Sequence, residues 1–343
     1  MAHRMGAAIP HLSGACRPDP HSTFRWRLPR GIRQSCEVGA GRSRATACTE
    51  TQAPDNPRLD PSIASSLPVL KTAKLDLAEH RPPFASFDIT LRFVVPPSAR
   101  LRTLFRHSAE RWEEIIITDV PAITGTFPRN TCGPFGTPRF SGTVDDILID
   151  VVLQPIDGPG NVLGRAGPCL VRTVDDLSVY GVMIFDTDDL HFFDSLELLD
   201  EIIIHEMGHV LGFGTLWRFN RSLLAGVGTR NPRFVGPKAI QQWHRLGGRG
   251  GVPVEGQFGP GTANAHWDED TFDNELMTGF LNLGENPLSD LSARSMRDLG
   301  YIAVPKGDPY HLPSAEVATA RSLLSGVDLR NGELLIEPTG AIE

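Results

Sequence analysis

Four stretches in the middle of the chain carry the apolar patterns of regular secondary structure. Apolar and polar side chains alternate over residues 87–93, which is typical of a half-buried strand. An apolar stripe with helical spacing follows over residues 101–116. Residues 147–153 and 180–186 are apolar runs of strand length. These patterns predict strands and a helix that precede a longer apolar helix.

The longer helix is predicted to begin after residue 195. Either Asp194 or Ser195 can cap it, and Asp194 has capping-box spacing to Glu197. Six leucine and isoleucine residues then fall within residues 196–204, so most of the helix surface is predicted to be buried. Gly212 is suited to end the helix in a left-handed conformation.

The end of this helix carries the pattern H-E-x-x-H, formed by His205, Glu206 and His209. Side chains four residues apart project from one face of a helix, so both imidazoles can bind one metal ion. Glu206 lies beside them and can take a proton from a water molecule on that metal. A buried helix has little reason to group these polar side chains unless something pairs them. The pattern therefore predicts the core of a zinc peptidase.

A catalytic zinc site needs three protein ligands and one open position for water. No Asp or Glu occurs over residues 207–254, so a glutamate from a nearby downstream helix fits poorly. The metzincin pattern H-E-x-x-H-x-x-G-x-x-H fits as far as Gly212, but Thr215 stands where the third histidine is expected. The next histidines along the chain are His244 and His266.

His266 is the better candidate for the third ligand. It precedes a Glu-Leu-Met-Thr-Gly turn in which Met277 can form the floor beneath the metal. His244, Asp268 and Glu275 remain alternatives. His244 fits a surface insert better, and Glu275 fits better as a hydrogen-bonding anchor of the turn.

These motifs resemble the leishmanolysin family of metzincins, in which a long insertion separates the helix glycine from the third histidine. Typical features are His266-Trp267, Glu275-Leu276-Met277 and a final helix that ends in Asp-Leu-Gly-Tyr at residues 298–301. The resemblance covers residues 87–312 and is closer to the bacterial-type members, because this chain has few cysteines. It implies one Zn²⁺ ion held by His205, His209 and His266.

The resemblance implies a metalloendopeptidase that hydrolyses internal peptide bonds of protein substrates. Glu206 is expected to act as the general base on a zinc-bound water and then to pass the proton to the leaving amine. In metzincins the strand before the active helix is an exposed sheet edge with which a substrate can pair. This assigns substrate pairing to Gly181, Val182 and Met183, although an ordinary core strand is an equal alternative.

The implied fold class is α+β, with a mixed twisted sheet, an active-site helix and an irregular C-terminal subdomain. Four segments are predicted along the chain. They are a disordered extension and linker (1–84), a catalytic subdomain with the zinc-binding helix (85–212), a subdomain with the third ligand and the methionine turn (213–312), and a C-terminal segment with a weak helix and a polar tail (313–343).

Charge separates the N-terminal region from the rest of the chain. The formal net charge is −8, which argues against a general nucleic-acid binder. Residues 1–48 contain eight arginines against two acidic residues, a formal charge of +6. This segment has no continuous apolar region typical of a secretory signal, and a transit peptide, a pro-segment or a wrongly assigned start would explain it equally well. The family resemblance implies a secreted or cell-surface protein.

No apolar run is long enough to span a membrane. A monomer is assumed.

Cysteines and acidic residues leave further alternatives open. Cys132 and Cys169 could form a disulfide, or could be two buried thiols. Cys16 is a weak candidate for a pro-segment thiolate that occupies the open zinc position. Asp186 and its neighbours at 188 and 189 could bind calcium, although a solvated turn fits better.

Other functions remain compatible with the motif. One alternative is a catalytically silent adhesion or binding module on the same fold, and another is a zinc hydrolase that acts on a non-peptide amide. A structural zinc site is disfavoured at this point, because such sites have four protein ligands and only three histidines are expected to converge.

Overall fold

The computed structural model describes residues 86–219, 222–259, 261–313 and 333–343, together with three short strands outside these ranges. Backbone packing divides the chain into two units, Met1–Pro61 and Ser62–Glu343. In the first unit, two three-residue strands pair in antiparallel fashion. Apart from these two strands, the predicted disordered extension (1–84), with the candidate Cys16, lies outside the described residues, and so does most of the weak helix predicted after residue 313.

The strands are β1 (Arg33–Ser35), β2 (Thr49–Thr51), β3 (Ile89–Phe93), β4 (Ile123–Phe127), β5 (Phe140–Val144), β6 (Ile147–Gln154), β7 (Gly164–Arg172), β8 (Ser178–Asp186), β9 (Leu224–Ala225), β10 (Arg233–Phe234), β11 (Val252–Pro253), β12 (Phe280–Leu281), β13 (Val327–Asp328), β14 (Glu333–Leu335) and β15 (Gly340–Ile342). The helices are α1 (Ala99–Glu113), α2 (Thr187–Ser195), α3 (Leu199–Leu211), α4 (Pro237–Arg245), α5 (Glu269–Phe272) and α6 (Asp290–Leu299).

The main sheet is mixed and has the order β14-β7-β8-β6-β3, with β15 also paired to β7. Strands β3, β6 and β8 are parallel, and β7 is antiparallel to β8. β14 and β15 run parallel to β7 along its outer edge. The predicted α+β fold with a mixed twisted sheet is confirmed.

Both faces of this sheet are covered. Alternate side chains of β6, such as Ile149 and Val151, join the core against α1 and α3. The side chains between them, such as Leu148 and Val152, pack against the β4–β5 hairpin. Strands buried on both faces have continuous apolar sequences, which explains the runs at 147–153 and 180–186.

Helix α3 begins later than its predicted cap. Its N-cap residue is Leu198, which makes no side-chain capping hydrogen bond. Asp194 instead lies at the end of α2 and accepts a hydrogen bond from Arg100 Nε at 2.8 Å. The capping prediction was therefore wrong, because α2 ends where α3 was expected to begin. The predicted end is correct, since Gly212 has a φ of 112°.

Cys132 and Cys169 form a disulfide. Both residues are buried in the apolar cluster beneath the β4–β5 hairpin, and Cys169 belongs to β7. The bond therefore ties the loop after β4 to the strand at the edge of the sheet. Of the two alternatives left open by the sequence, the disulfide is the one found.

Residues 213–313 are largely irregular, with short helices and two-residue strands. None of the helices in the described ranges has the length and apolar character that crossing a membrane requires. The end of the chain was predicted to be a polar tail, but its described part forms strands. Residues 333–343 supply two strands of the main sheet.

Candidate metal centre

Helix α3 presents the first two histidines. His205 and His209 lie one turn apart, and both are fully buried. Their Nε2 atoms are 3.0 Å apart. The spacing in the sequence therefore places two imidazoles side by side, as predicted.

His266 reaches the same point from the irregular C-terminal part. Its neighbour Trp267 bridges to Val254 and to Thr278, which fixes the segment between the small sheet and the methionine turn. The His266 Nε2 lies 3.2 Å from His205 Nε2 and 3.1 Å from His209 Nε2. The structure thus brings the three predicted histidines together.

Backbone carbonyls orient all three rings. The Nδ1 atoms of His205, His209 and His266 lie 2.7, 2.9 and 3.1 Å from the carbonyl oxygens of Leu276, Phe213 and Thr262. Each Nδ1 can donate to its carbonyl, which leaves the lone pair of each Nε2 directed at a common point. Three converging lone pairs repel one another unless a cation lies between them.

The distances match those of a zinc site. Two nitrogens on a tetrahedral zinc with bonds of about 2.0–2.1 Å would be about 3.3–3.4 Å apart. The observed separations of 3.0–3.2 Å are close to that value. The three histidines can therefore hold one metal ion.

A fourth side chain joins the three imidazoles. One carboxylate oxygen of Glu333, in β14, lies 3.0 Å from His266 Nε2 and 3.4 Å from His205 Nε2. The other oxygen lies 3.0 Å from His209 Nε2. These three histidines and Glu333 form a buried group whose ligand atoms all lie within 4.8 Å of one another.

Glu206 lies beside this group but is not part of it. Its side chain is 1% exposed, and neither carboxylate oxygen has a hydrogen-bond partner among the described residues. Burying an unpartnered carboxylate is costly. A buried carboxylate without a partner, next to three imidazoles, fits a site that can hold a metal ion.

Burial and charge set the protonation of the centre. Burial raises the pKa of Glu206 well above its usual value, and the charge of Glu333 raises it further. Burial lowers the pKa of His209 to about 3, so this imidazole is neutral at physiological pH and can act as a ligand. Burial also acts to lower the pKa of His266, but the Glu333 carboxylate outweighs it and raises that pKa.

Met277 packs against the helix that carries two of the histidines. It is fully buried, and it packs against Gly208 in the turn of α3 between the two histidines. Glu275 anchors the turn, as the sequence suggested. Its carboxylate accepts hydrogen bonds from the backbone N–H of Met277 and from the hydroxyls of Ser289 and Ser292.

A comparison with models of protein families agrees with these features of the centre. The sequence model described as leishmanolysin matches residues 116–321, more than half of the 343 residues. The chain belongs to the leishmanolysin family. A comparison with curated proteins finds no match. The leishmanolysins are zinc metallopeptidases that act on proteins, and the buried histidine group of this member could bind one zinc ion.

The alternative ligands are absent from the centre of this leishmanolysin. His244 is exposed on α4 and lies 3.1 Å from the Gly250 carbonyl oxygen. Asp268 accepts a hydrogen bond from the Thr271 hydroxyl.

The candidate calcium ligand Asp186 accepts hydrogen bonds from the backbone N–H groups of residues 156–158, so it is not a solvated turn residue.

The predicted substrate strand is not an edge. Strand β8 pairs with β6 on one side and with β7 on the other, and all nine of its residues are buried. Gly181, Val182 and Met183 therefore have no free backbone groups for a substrate, and their assignment was wrong. Without β14 and β15, β7 would be the edge of the sheet, but these two strands pair with its outer side.

Glu333 was missed because the end of the chain was interpreted as a polar tail. The sequence does carry a signal there. Asn331-Gly332 is a typical turn pair, and it precedes Leu334, Leu335 and Ile336, a short apolar run of strand length. The argument against a site with four protein ligands consequently fails, because Glu333 places a fourth possible donor beside the three histidines.

Proposed function

We propose that this leishmanolysin is a zinc-dependent endopeptidase in which Glu206 is the general base. The observation that carries the proposal is the Glu206 carboxylate, which is buried beside three converging imidazoles and has no partner among the described residues. A purely structural metal site has no use for such a group, and its burial is costly.

The proposed roles follow from the positions of the side chains. His205, His209 and His266 hold the metal. Zinc, when bound, supplies a positive charge that lowers the pKa of a water molecule and polarises a substrate carbonyl. Glu206 accepts the proton of the attacking water on a carboxylate oxygen and then donates it to the nitrogen of the leaving amine.

Strand β7 supports the binding of an extended substrate next to the general base. Its outer edge begins at Gly164, where an added Cβ would lie 3.2 Å from Glu206 Oε1. A peptide in extended conformation can add to a sheet edge through main-chain hydrogen bonds, which on β7 requires that β14 and β15 leave its outer side. An edge that starts beside the general base and continues for nine residues would bind an extended stretch of the substrate on one side of the cleaved bond, so the cleaved bond would lie several residues from that end of the substrate.

One observation favours a second candidate. Four protein donors, with Glu333 as the fourth, are the arrangement of a closed structural zinc site. In that case the protein would be a binding module stabilised by zinc. The two candidates differ in what they require of Glu206, which a structural site would not use.

Digestion of casein by the purified protein tests the proposal. We expect cleavage that a chelator abolishes and that zinc restores. Glu206→Gln should lose the activity and keep its zinc, because Glu206 is not a ligand. Equal digestion by Glu206→Gln would end the proposed role of this residue.

A further inference from the structure

The C-terminal segment, residues 333–343, lies along the edge of the sheet that a substrate would need. β14 aligns Glu333 with Gly164, and β15 aligns Gly340 with Leu170. Between these strands, the backbone N–H groups of Ile336 and Thr339 donate to the Ala166 and Cys169 carbonyls, both at 2.8 Å. The segment therefore uses the main-chain groups of β7 along its whole length.

The fit between the segment and the cleft is close. A Cβ on Gly167 would collide with the Ile336 carbonyl oxygen, and a Cβ on Gly261 would lie 2.8 Å from the Glu333 carbonyl oxygen. Ile336 and Ile342 pack against the apolar cluster beneath β4 and β5. Only glycine allows such approaches of backbone to backbone. The surface around β7 is thus complementary in shape to the C-terminal segment.

The group that this segment presents to the histidines is a side-chain carboxylate and not a peptide carbonyl. The Glu333 carboxylate is buried within 3.0–3.4 Å of all three Nε2 atoms, while its own main-chain carbonyl faces Gly261. A carboxylate is a good zinc ligand and contains no bond that the enzyme cleaves. The segment therefore resembles a bound inhibitor more than a bound substrate.

We propose that the C-terminal segment is a built-in inhibitor, in which Glu333 takes the open position of the metal and the two strands occupy the substrate edge of β7. This inference rests on the proposed peptidase function. A catalytic zinc keeps three protein ligands and one position for water, and a fourth protein ligand closes it. Because the inhibitor is part of the same chain, it competes with a substrate at a high local concentration.

Closure of the metal can be tested without any activity. The full-length protein is loaded with Co²⁺, whose visible absorption reports its ligands, and titrated with acetohydroxamate, a small chelating ligand. The variants are Glu333→Ala and Glu333→Gln, compared with the wild type at equal cobalt content. The matched control is Glu337→Gln, which neutralises an exposed carboxylate of the same segment.

We expect both Glu333 variants to change the cobalt spectrum and to bind acetohydroxamate at least about tenfold more tightly than the wild type, which corresponds to about 1.4 kcal/mol. Glu337→Gln should behave as the wild type. Identical spectra and identical hydroxamate affinities in all four proteins would overturn the proposal. The two Glu333 variants control for different effects. Glu333→Ala removes the side chain, whereas Glu333→Gln keeps its shape and removes its charge.

Casein cleavage by the same proteins separates this inference from the function on which it rests. We expect Glu333→Ala to cleave casein faster than the wild type and Glu206→Gln/Glu333→Ala to be inactive. If Glu333→Ala cleaves casein at the wild-type rate, the inhibitory role of the C-terminal segment is refuted, and the peptidase function still stands. Tighter hydroxamate binding without casein cleavage by Glu333→Ala would refute the peptidase, and the inhibitory role with it.

Discussion

Gly208 lies directly against Met277, beneath the two histidines of α3. A Cβ on Gly208 would be 2.9 Å from Met277 Cε and 2.8 Å from Trp112 Cζ2, closer than carbon atoms normally approach. Gly208 is thus the point at which the methionine turn and α1 both meet the zinc-binding helix. The absence of a side chain there allows the three elements to meet.

Gly208→Ala should destabilise the protein and weaken metal binding. Alanine in a helix gains up to about 1 kcal/mol over glycine. Overpacking of a buried contact costs about 1–3 kcal/mol, so we expect a net loss of up to about 2 kcal/mol in the free energy of unfolding. Urea denaturation would measure it. Met277→Ala makes room for the new methyl group, so the double variant should lose less than the sum of the two single losses.

His266→Ala should reduce the zinc content far below the expected value of about one ion per chain. His244→Ala is the matched control, because His244 is an exposed histidine of the same part of the chain. Metal analysis after gel filtration gives the stoichiometry, and thermal unfolding with and without chelator gives the coupling to stability. If His244→Ala loses zinc and His266→Ala retains it, the ligand set is wrong.

Glu113 should make stability depend on pH. Burial, together with the charge of nearby carboxylates, raises the pKa of Glu113 to about 7. Between its ordinary pKa of about 4.5 and pH 7, the folded protein holds a proton that the unfolded chain has lost, so stability falls as the pH rises.

Glu113→Gln removes this titration and keeps an oxygen that can accept the Ile89 N–H. Melting temperatures at pH 5.5 and pH 8 would test it. We expect the advantage of the variant over the wild type to be larger at pH 8. An equal difference at both values would show that Glu113 titrates normally.

The disulfide should contribute to the stability of the edge strand. Replacing Cys132 and Cys169 by serine removes a bond that closes a loop over a sequence separation of 37 residues. The loss expected for such a bond is about 2–4 kcal/mol in the free energy of unfolding. Chemical denaturation of the wild type and of the double variant measures it, and a reductant should lower the stability of the wild type alone.

The sequence predicted those parts of the centre that local spacing controls. His205, Glu206 and His209 share one helix, so the period of the helix alone places them. His266 and Met277 were found because His266 precedes, by a short stretch, the Glu-Leu-Met-Thr-Gly turn that contains Met277. Glu333 could not be placed in this way. Its position depends on the parallel pairing of two three-residue strands to β7, and such short segments show no periodicity.

The choice of the wrong edge strand has a similar cause. The continuous apolar sequence of β8 is typical of a strand in the middle of a sheet. Strand β7 contains Gly167 and Pro168, residues that sheets tolerate mainly at their edges. The signal was present, but strand order depends on contacts between distant parts of the chain.

The pairing of β14 and β15 with β7 also bears on how this protein behaves in a concentrated solution. A bare sheet edge presents a row of unsatisfied amide and carbonyl groups, to which any extended polypeptide can attach, including another copy of the same molecule. Lifting the last eleven residues away would create such an edge. A chain with its C-terminus released should therefore be more prone to self-association and aggregation than the covered form, and its working lifetime correspondingly shorter.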